Sequence, residues 1–262
     1  MPEPDARADL ALLVEAAHSA GAIAMRFWRN DPASWDKGGG AGPVSEADLA
    51  VNDHLEQVLR GARPDYGWLS EESPHDPDRH AARRVFILDP IDGTRAFLDR
   101  QDAFAHSLAV AEDGRITAAV VYLPARGTLY AASAEGPATR NGQPIAVSDR
   151  SGADGATVLA GRAALAPEHW KEGRLPPVER AFRPSLAWRL ALVAEGRFDA
   201  MLSVRPTWEW DIAAGSLIVA RAGGTVSDRA GRPIRFNSPG AASDGILAGA
   251  PRVWSGLIAA LA

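Results

Sequence analysis

The chain has 262 residues, 46% of them hydrophobic and 23% charged, an ordinary globular composition that buries roughly 70–75% of the unfolded surface in one large or two small domains. Its net charge of −5, from 28 basic and 33 acidic residues, comes without a basic tract, so long-range attraction to a nucleic acid polymer or an anionic membrane is not expected. The absence of cysteine excludes disulfides and thiolate zinc sites, and the six histidines show no paired metal-binding spacing.

At the N-terminus, Leu10, Leu13, Val14, Ala17, Gly21, Ala24, Met25 and Trp28 recur at helical steps, which predicts a long helix ending near Asn30. Glu15, His18 and Arg26 interrupt it, and no run approaches the ~18 apolar residues of a membrane span. A cytoplasmic protein without a secretory signal is expected. Residues 38–43, G-G-G-A-G-P, read as a mobile loop before a second helix that starts near Ser45. A short strand covers Tyr66 to Leu69, and V-F-I-L-D-P-I-D-G-T at 85–94 is a buried strand running into a tight turn. Three strand-like runs from Phe104 to Ser133, split by Asp113-Gly114 and by Pro124 to Gly127, predict an antiparallel meander. Beyond a Pro-, Arg- and Gly-rich stretch at 149–184, strands near 157–160, 199–203 and 245–248 alternate with helices near 186–195, 211–222 and 252–261. This pattern places an N-terminal subdomain at 1–149 and a C-terminal one at 150–262.

Acidic residues fall at element ends. Asp89 and Asp92 lie at the carboxyl end of the buried strand, the edge that faces ligand crevices in α/β proteins. Pro90 fixes one backbone angle and Gly93 permits the other, so both carboxylates and the Ile91 carbonyl can converge on one point, an arrangement suited to a hard cation. Glu71 and Glu72 follow the short strand, and Asp211 opens the helix I-A-A-G-S-L-I-V-A. Each has a plain structural reading: turn chemistry for Asp89 and Asp92, a surface turn for Glu71 and Glu72, a helix N-cap for Asp211, and a capping box for Ser45 and Asp48.

Taken together and in order, S-E-E-S at 70–73, D-P-I-D-G-T at 89–94 and W-D-I-A-A-G at 210–215 resemble the inositol monophosphatase superfamily of lithium-sensitive, magnesium-dependent phosphatases. Lys37, the glycine loop, V-S-E-A-D at 44–48 and N-G-Q-P-I-A-V-S at 141–148 extend the resemblance over nearly the whole chain. It implies an α/β (α+β) fold, a layered αβαβα sandwich with the site between an antiparallel and a mixed sheet. It also implies that Glu71, Asp89 and the Ile91 carbonyl hold one metal, and Asp89, Asp92 and Asp211 a second, with two or three Mg²⁺ per site. Such oxygen donors favour Mg²⁺ over zinc or copper. Gly93 and Thr94 would offer backbone amides to the phosphate. Thr94 and Asp48, with Glu71 nearby, would orient and deprotonate a water for direct in-line attack without a covalent enzyme intermediate. The glycine loop resembles a flap carrying Lys37, and a homodimer is in keeping with the family.

The leaving group is less sharply written. P-T-W-E-W-D-I-A-A-G at 206–215 and A-L-V-A-E-G at 191–196 resemble the bacterial 3'(2'),5'-bisphosphate nucleotidase branch, whose substrate is adenosine 3',5'-bisphosphate. The glutamate of inositol-specific members is not evident among Val204, Arg205, Pro206 and Thr207. The nucleotidase string G-S-x-x-K is replaced by Ser185-Leu-Ala-Trp-Arg189, which leaves two readings open. Arg189 faces a second anionic group and Trp188 stacks on a base, or Trp188 is core and Arg189 is on the surface. Glu209 is expected to line the leaving-group pocket beside Asp92 and Asp211. Inositol 1-phosphate and histidinol phosphate are the alternative substrates, the latter because D-G-T-R-A-F, with Arg95, also occurs in histidinol-phosphatase-like members. A regulatory binding protein on the same fold is the alternative of another class.

Overall fold

A computed structural model describes residues 5–39 and 42–262. Helix α1 (Ala6–Phe27) is capped by Asp5, whose side chain accepts the amides of Arg7 and Ala8. It stops before Asn30 because Trp28 leaves helical geometry and Arg29 turns to φ +67°. Among the described residues α1 alone is long and apolar enough to cross a membrane by length and composition. Its apolar face, Leu13, Ala16, Ala17, Ala20 and Ala24, packs into the protein core. Helix α2 (Glu46–Ala62) begins at Ser45 and contributes Ala47, Val51, Leu55 and Leu59 to the same core.

These helices cover one face of a seven-stranded sheet: β1 (Gly67–Ser70), β2 (Arg84–Asp92), β3 (Ala105–Glu112), β4 (Arg115–Leu123), β5 (Thr128–Ser133), β6 (Thr139–Arg140) and β7 (Gln143–Pro144), paired in sequence order. β1 and β2 are parallel and the remaining pairs antiparallel, as the meander predicts. Both faces of the sheet are buried. Phe86, Leu88, Leu108, Val110 and Val120 point toward α1 and α2, whereas Val85, Ile87, Ala109 and Val121 point the other way. A short helix α3 (Thr94–Leu98) follows β2.

The far face is covered by α4 (Leu186–Ala194) and α5 (Glu209–Arg221). They approach closely because residue 215 is glycine; a Cβ there would lie 2.5 Å from the Leu190 side chain. Beyond them lies a five-stranded sheet made of β8 (Thr157–Ala160), β9 (Glu179–Ala181), β10 (Ala200–Ser203), β11 (Thr225–Ser227) and β12 (Ile246–Gly249), in the order β9-β8-β10-β12-β11. β12 runs antiparallel to both neighbours, so this sheet is mixed. Helix α6 (Pro251–Ala260) closes the outer face through Val253 and Leu257. The five layers are the expected αβαβα sandwich, and its central core draws on residues from both sides of position 150.

Local differences have local causes. β9 and β11 are three-residue strands, too short to leave a periodic signal. Helix α5 starts at Glu209, capped by Trp208, so Asp211 sits inside the first turn and is not the N-cap. The glycine loop is flanked by a ribbon pairing Ser34–Asp36 with Pro43–Ser45. Mobility is expected of the whole loop at 38–43, of which Gly40 and Ala41 lie outside the described residues.

Candidate active site

The site forms where β1, β2 and α5 end together. At the exit of β2 the pairing with β3 shifts register between Asp89 and Asp92, and the Asp89 carboxylate accepts the Ile91 amide at 2.9 Å. The chain thus curls back over its own strand end. Gly93 adopts φ +98° and launches α3. An added Cβ there would lie 3.1 Å from the Ala103 carbonyl, so a side chain would be crowded as well as strained by the backbone angle. Glu71 is delivered by β1, and its amide donates to Leu88 O at 3.2 Å. Asp211 comes from the first turn of α5, where the amide ends of the helix favour an anion.

One carboxylate oxygen from each of Glu71, Asp89 and Asp211 lies within 4.8 Å of the others. Burial, and then the negative charge of Glu71, Asp92 and Asp211, raises the Asp89 carboxyl well above the usual range. Asp211 is raised in the same way by burial and by Asp92. Like charges crowded into a poorly hydrated site call for a cation, and only oxygen donors are offered. Lys37 approaches from the glycine loop, its ammonium 2.8 Å from Glu71 and 2.7 Å from Glu72. Burial pushes Glu72 up to about 7 despite that bond.

Asp92 lies beside this triad and faces α4. Its Oδ2 accepts the Ser185 hydroxyl at 2.7 Å and the Ala187 amide at 2.6 Å. On the other side, Thr94 Oγ1 has one proton and two acceptors, Asp48 Oδ1 at 3.0 Å and the Ile91 carbonyl at 3.1 Å. The second Asp48 oxygen accepts the Ser45 amide at 2.8 Å. Asp48 therefore stabilises the start of α2 and reaches Thr94 with the same carboxylate. Burial raises its proton affinity, moderated by the bonds from Ser45 and Thr94.

On the leaving-group side the expectation for Glu209 is corrected, and each of the two open readings of Trp188 and Arg189 holds only in part. Glu209 does not line a pocket: it is fully buried, and its two carboxylate oxygens accept the amides of Asn237 at 2.6 Å and Ser238 at 2.9 Å. Trp188 is core: its ring is buried, so neither face is open to a base, and the Arg126 guanidinium packs 4.5 Å from its centroid. Arg189 is not a surface residue. It is 7% exposed, bonded through Nε to Arg183 O and through Nη2 to Pro184 O, and burial lowers its pKa to about 10. Arg189 nonetheless lines a cavity of about 600 Å³ together with Arg162, Phe182, Leu186, Ser203 and Arg205.

Two supporting groups escaped sequence reasoning. Ser185, which holds Asp92, also caps α4 by accepting the Trp188 amide at 3.0 Å. A serine after proline at the start of an apolar helix was the available signal. Asn52 braces the S-E-E-S turn by accepting the Ser70 hydroxyl at 2.7 Å and donating to Ser73 at 3.2 Å. Nothing in the local sequence marks that role.

A sequence model of the inositol monophosphatase family matches residues 5–262. The chain is 34% identical to the inositol-1-monophosphatase of Rhizobium meliloti, over 87% of this chain and 89% of that protein. It is 32% identical to the Nus factor SuhB of Escherichia coli K12, over 95% and 94%. Among solved structures, SuhB from Bartonella henselae superposes with a TM-score of 0.83 at 29% identity, covering 96% of this chain and 97% of that one. An IMPase from Thermotoga maritima superposes at 0.79 and 27%, covering 97% and 93%.

Proposed function

The chain belongs to the inositol monophosphatase family, and on that premise we propose that it is a Mg²⁺-dependent phosphatase that releases phosphate from a small phosphorylated metabolite. The observation that carries this reading is the meeting of two groups of residues: the triad of Glu71, Asp89 and Asp211 within 4.8 Å, and the Thr94–Asp48 pair alongside it.

Glu71, Asp89 and Asp211, with Asp92 and the Ile91 carbonyl, are the residues that would hold the metal. All are hard oxygen donors, and their mutual repulsion is what a divalent cation relieves. When bound, the cation supplies positive charge for the phosphate and a lowered pKa for water. Thr94 orients the attacking water through its hydroxyl, and Asp48 accepts the proton, a task suited to a buried carboxylate of raised proton affinity. The turn amides of Gly93 and Thr94 hold phosphate oxygens. Asp92 and Asp211 border the leaving group, with Ser185 fixing the Asp92 carboxylate.

For the substrate, inositol 1-phosphate is the reading the curated relatives support. A second reading, a 3'(2'),5'-bisphosphate nucleotide, is favoured by one observation. The cavity lined by Arg189, whose guanidinium feels the charge of Asp92 and Asp211, also carries Arg162 and Arg205, positive charge suited to a second phosphate. Phosphate release from inositol 1-phosphate, adenosine 3',5'-bisphosphate and histidinol phosphate, each with Mg²⁺ and with EDTA, tests both levels. Activity that survives EDTA would sink the metal dependence, and no activity on any ester with Mg²⁺ would sink the phosphatase reading; the ranking of kcat/KM decides the substrate.

A further inference from the structure

Phe182 is an exposed aromatic side chain that lines two cavities, one of which reaches the phosphate turn. One, of about 360 Å³, runs from Gly93 and Arg95 to Phe182 and Pro184; the other, of about 600 Å³, runs from Phe182 and Pro184 to Arg162, Arg189 and Arg205. The segment 182–184 is thus the partition between them, and Phe182 is 48% exposed.

The ring is held from behind. The Arg189 guanidinium lies 4.3 Å from its centroid. The same guanidinium donates to the carbonyls of Arg183 and Pro184. On the N-terminal side, Ala181 is paired to Leu159 in the sheet. An aromatic side chain tied down at both flanks loses little freedom when a ligand covers it. The cation on one face also sets the preference of the other. It draws electron density through the ring, which weakens attraction for C–H groups and cations and strengthens offset stacking with an electron-rich π-system. Leu186 and Val204 provide apolar walls on the far side.

We infer that Phe182 is a specificity-determining residue that stacks on a planar, electron-rich heterocycle, of purine type, carried by the leaving group of the phosphomonoester. As a statement about substrate this rests on the phosphatase reading and, within it, on the nucleotide alternative. It transfers to Phe182 the stacking role that the sequence suggested for Trp188, which the core has claimed.

The test compares wild type, Phe182→Ala and Phe182→Trp on adenosine 3'-monophosphate and on ring-free glycerol 2-phosphate, with calorimetric binding of AMP alongside. Removal of the ring is expected to lower kcat/KM on the nucleotide about tenfold and to weaken AMP binding similarly. Tryptophan restores both, and glycerol 2-phosphate stays within twofold in every variant. Equal losses on both esters, or AMP binding unchanged by Phe182→Ala, would overturn the inference. A wild-type protein that hydrolyses glycerol 2-phosphate and neither cleaves the nucleotide nor binds AMP would overturn it as well, while leaving the phosphatase reading intact. If no ester is hydrolysed, that reading fails, and AMP binding that drops tenfold in Phe182→Ala still supports the stacking site.

Discussion

Thr94 Oγ1 lies 3.0 Å from Asp48 Oδ1 across a sequence separation of 46 residues. The bond joins the turn after β2 to the first turn of α2, so the pair proposed to handle the water is assembled by packing of two separate layers. Thr94→Val keeps the side-chain shape and removes the hydroxyl. It should lower kcat by about 10²-fold, the usual scale for losing one positioned proton-transfer partner. Mg²⁺ binding followed by calorimetry should stay within about twofold. Parallel losses in kcat and in metal affinity would instead make Thr94 a support for the metal.

Ser185→Ala removes a bond to Asp92 and the cap of α4 in one step. A cost of about 1–2 kcal/mol in urea unfolding is expected from the lost cap and hydrogen bond. Activity should fall with it, because the Asp92 carboxylate is released from its fixed orientation. A stability loss with full activity would show that the Ala187 amide alone holds Asp92.

Glu209→Ala separates structure from substrate contact. With two backbone amides left unpaired inside the protein, unfolding free energy should drop by about 3 kcal/mol. The relative kcat/KM values across different phosphate esters should not change, since the carboxylate faces the 237–238 turn. A selective loss on one ester would return Glu209 to the leaving-group pocket.

Asp199 gives a pH signature away from the site. Its carboxylate accepts Ser148 Oγ at 2.7 Å, the Thr157 amide at 2.8 Å and Thr157 Oγ1 at 3.0 Å. Although burial acts to raise its pKa, these bonds and Arg150 prevail and lower it. A lowered folded-state pKa means that the stabilisation is fully present above the unfolded value of about 3.9 and is lost as pH falls through the folded one. Asp199→Asn should therefore melt lower than wild type by a constant margin from pH 6 to 8, about 2 kcal/mol in stability, narrowing below about pH 4. A margin independent of pH down to the acid transition would refute the charge-based account.

The separate elements and the Asp89–Asp92 turn are legible in short-range chemistry, whereas the layering and the joining of Glu71 and Asp211 to that turn follow from the resemblance carried by the three ordered motifs. The D-P-I-D-G-T string carries its own turn, since Gly93 is the residue at φ +98°, and the two-faced apolar run of β2 announces a strand buried between helix layers. The leaving-group side was not legible, for a reason visible in α4. That helix is sandwiched between two sheets, and every residue from Ala187 to Ala194 is buried. A helix of this kind has no solvent face, so Trp188 and Arg189 cannot be sorted by periodicity into core and surface. Glu209 misled for a related reason: its proximity to Asp211 in sequence gave no hint that its carboxylate turns to the remote 237–238 segment. Phe182 emerged only once the chain placed it between two cavities.

Asp89 stands at the centre of the account, buried and adjacent to every other carboxylate of the site. The direct measurement is phosphate release by Asp89→Asn and wild type at saturating Mg²⁺, with thermal melting of both metal-free proteins as the folding control. Removal of a buried like charge should leave the metal-free variant at least as stable as wild type, while the loss of several kcal/mol of charge stabilisation lowers hydrolysis by about 10³-fold. A folded Asp89→Asn protein that hydrolyses the ester at the wild-type rate would contradict the assignment of this cluster as the metal-dependent phosphatase site.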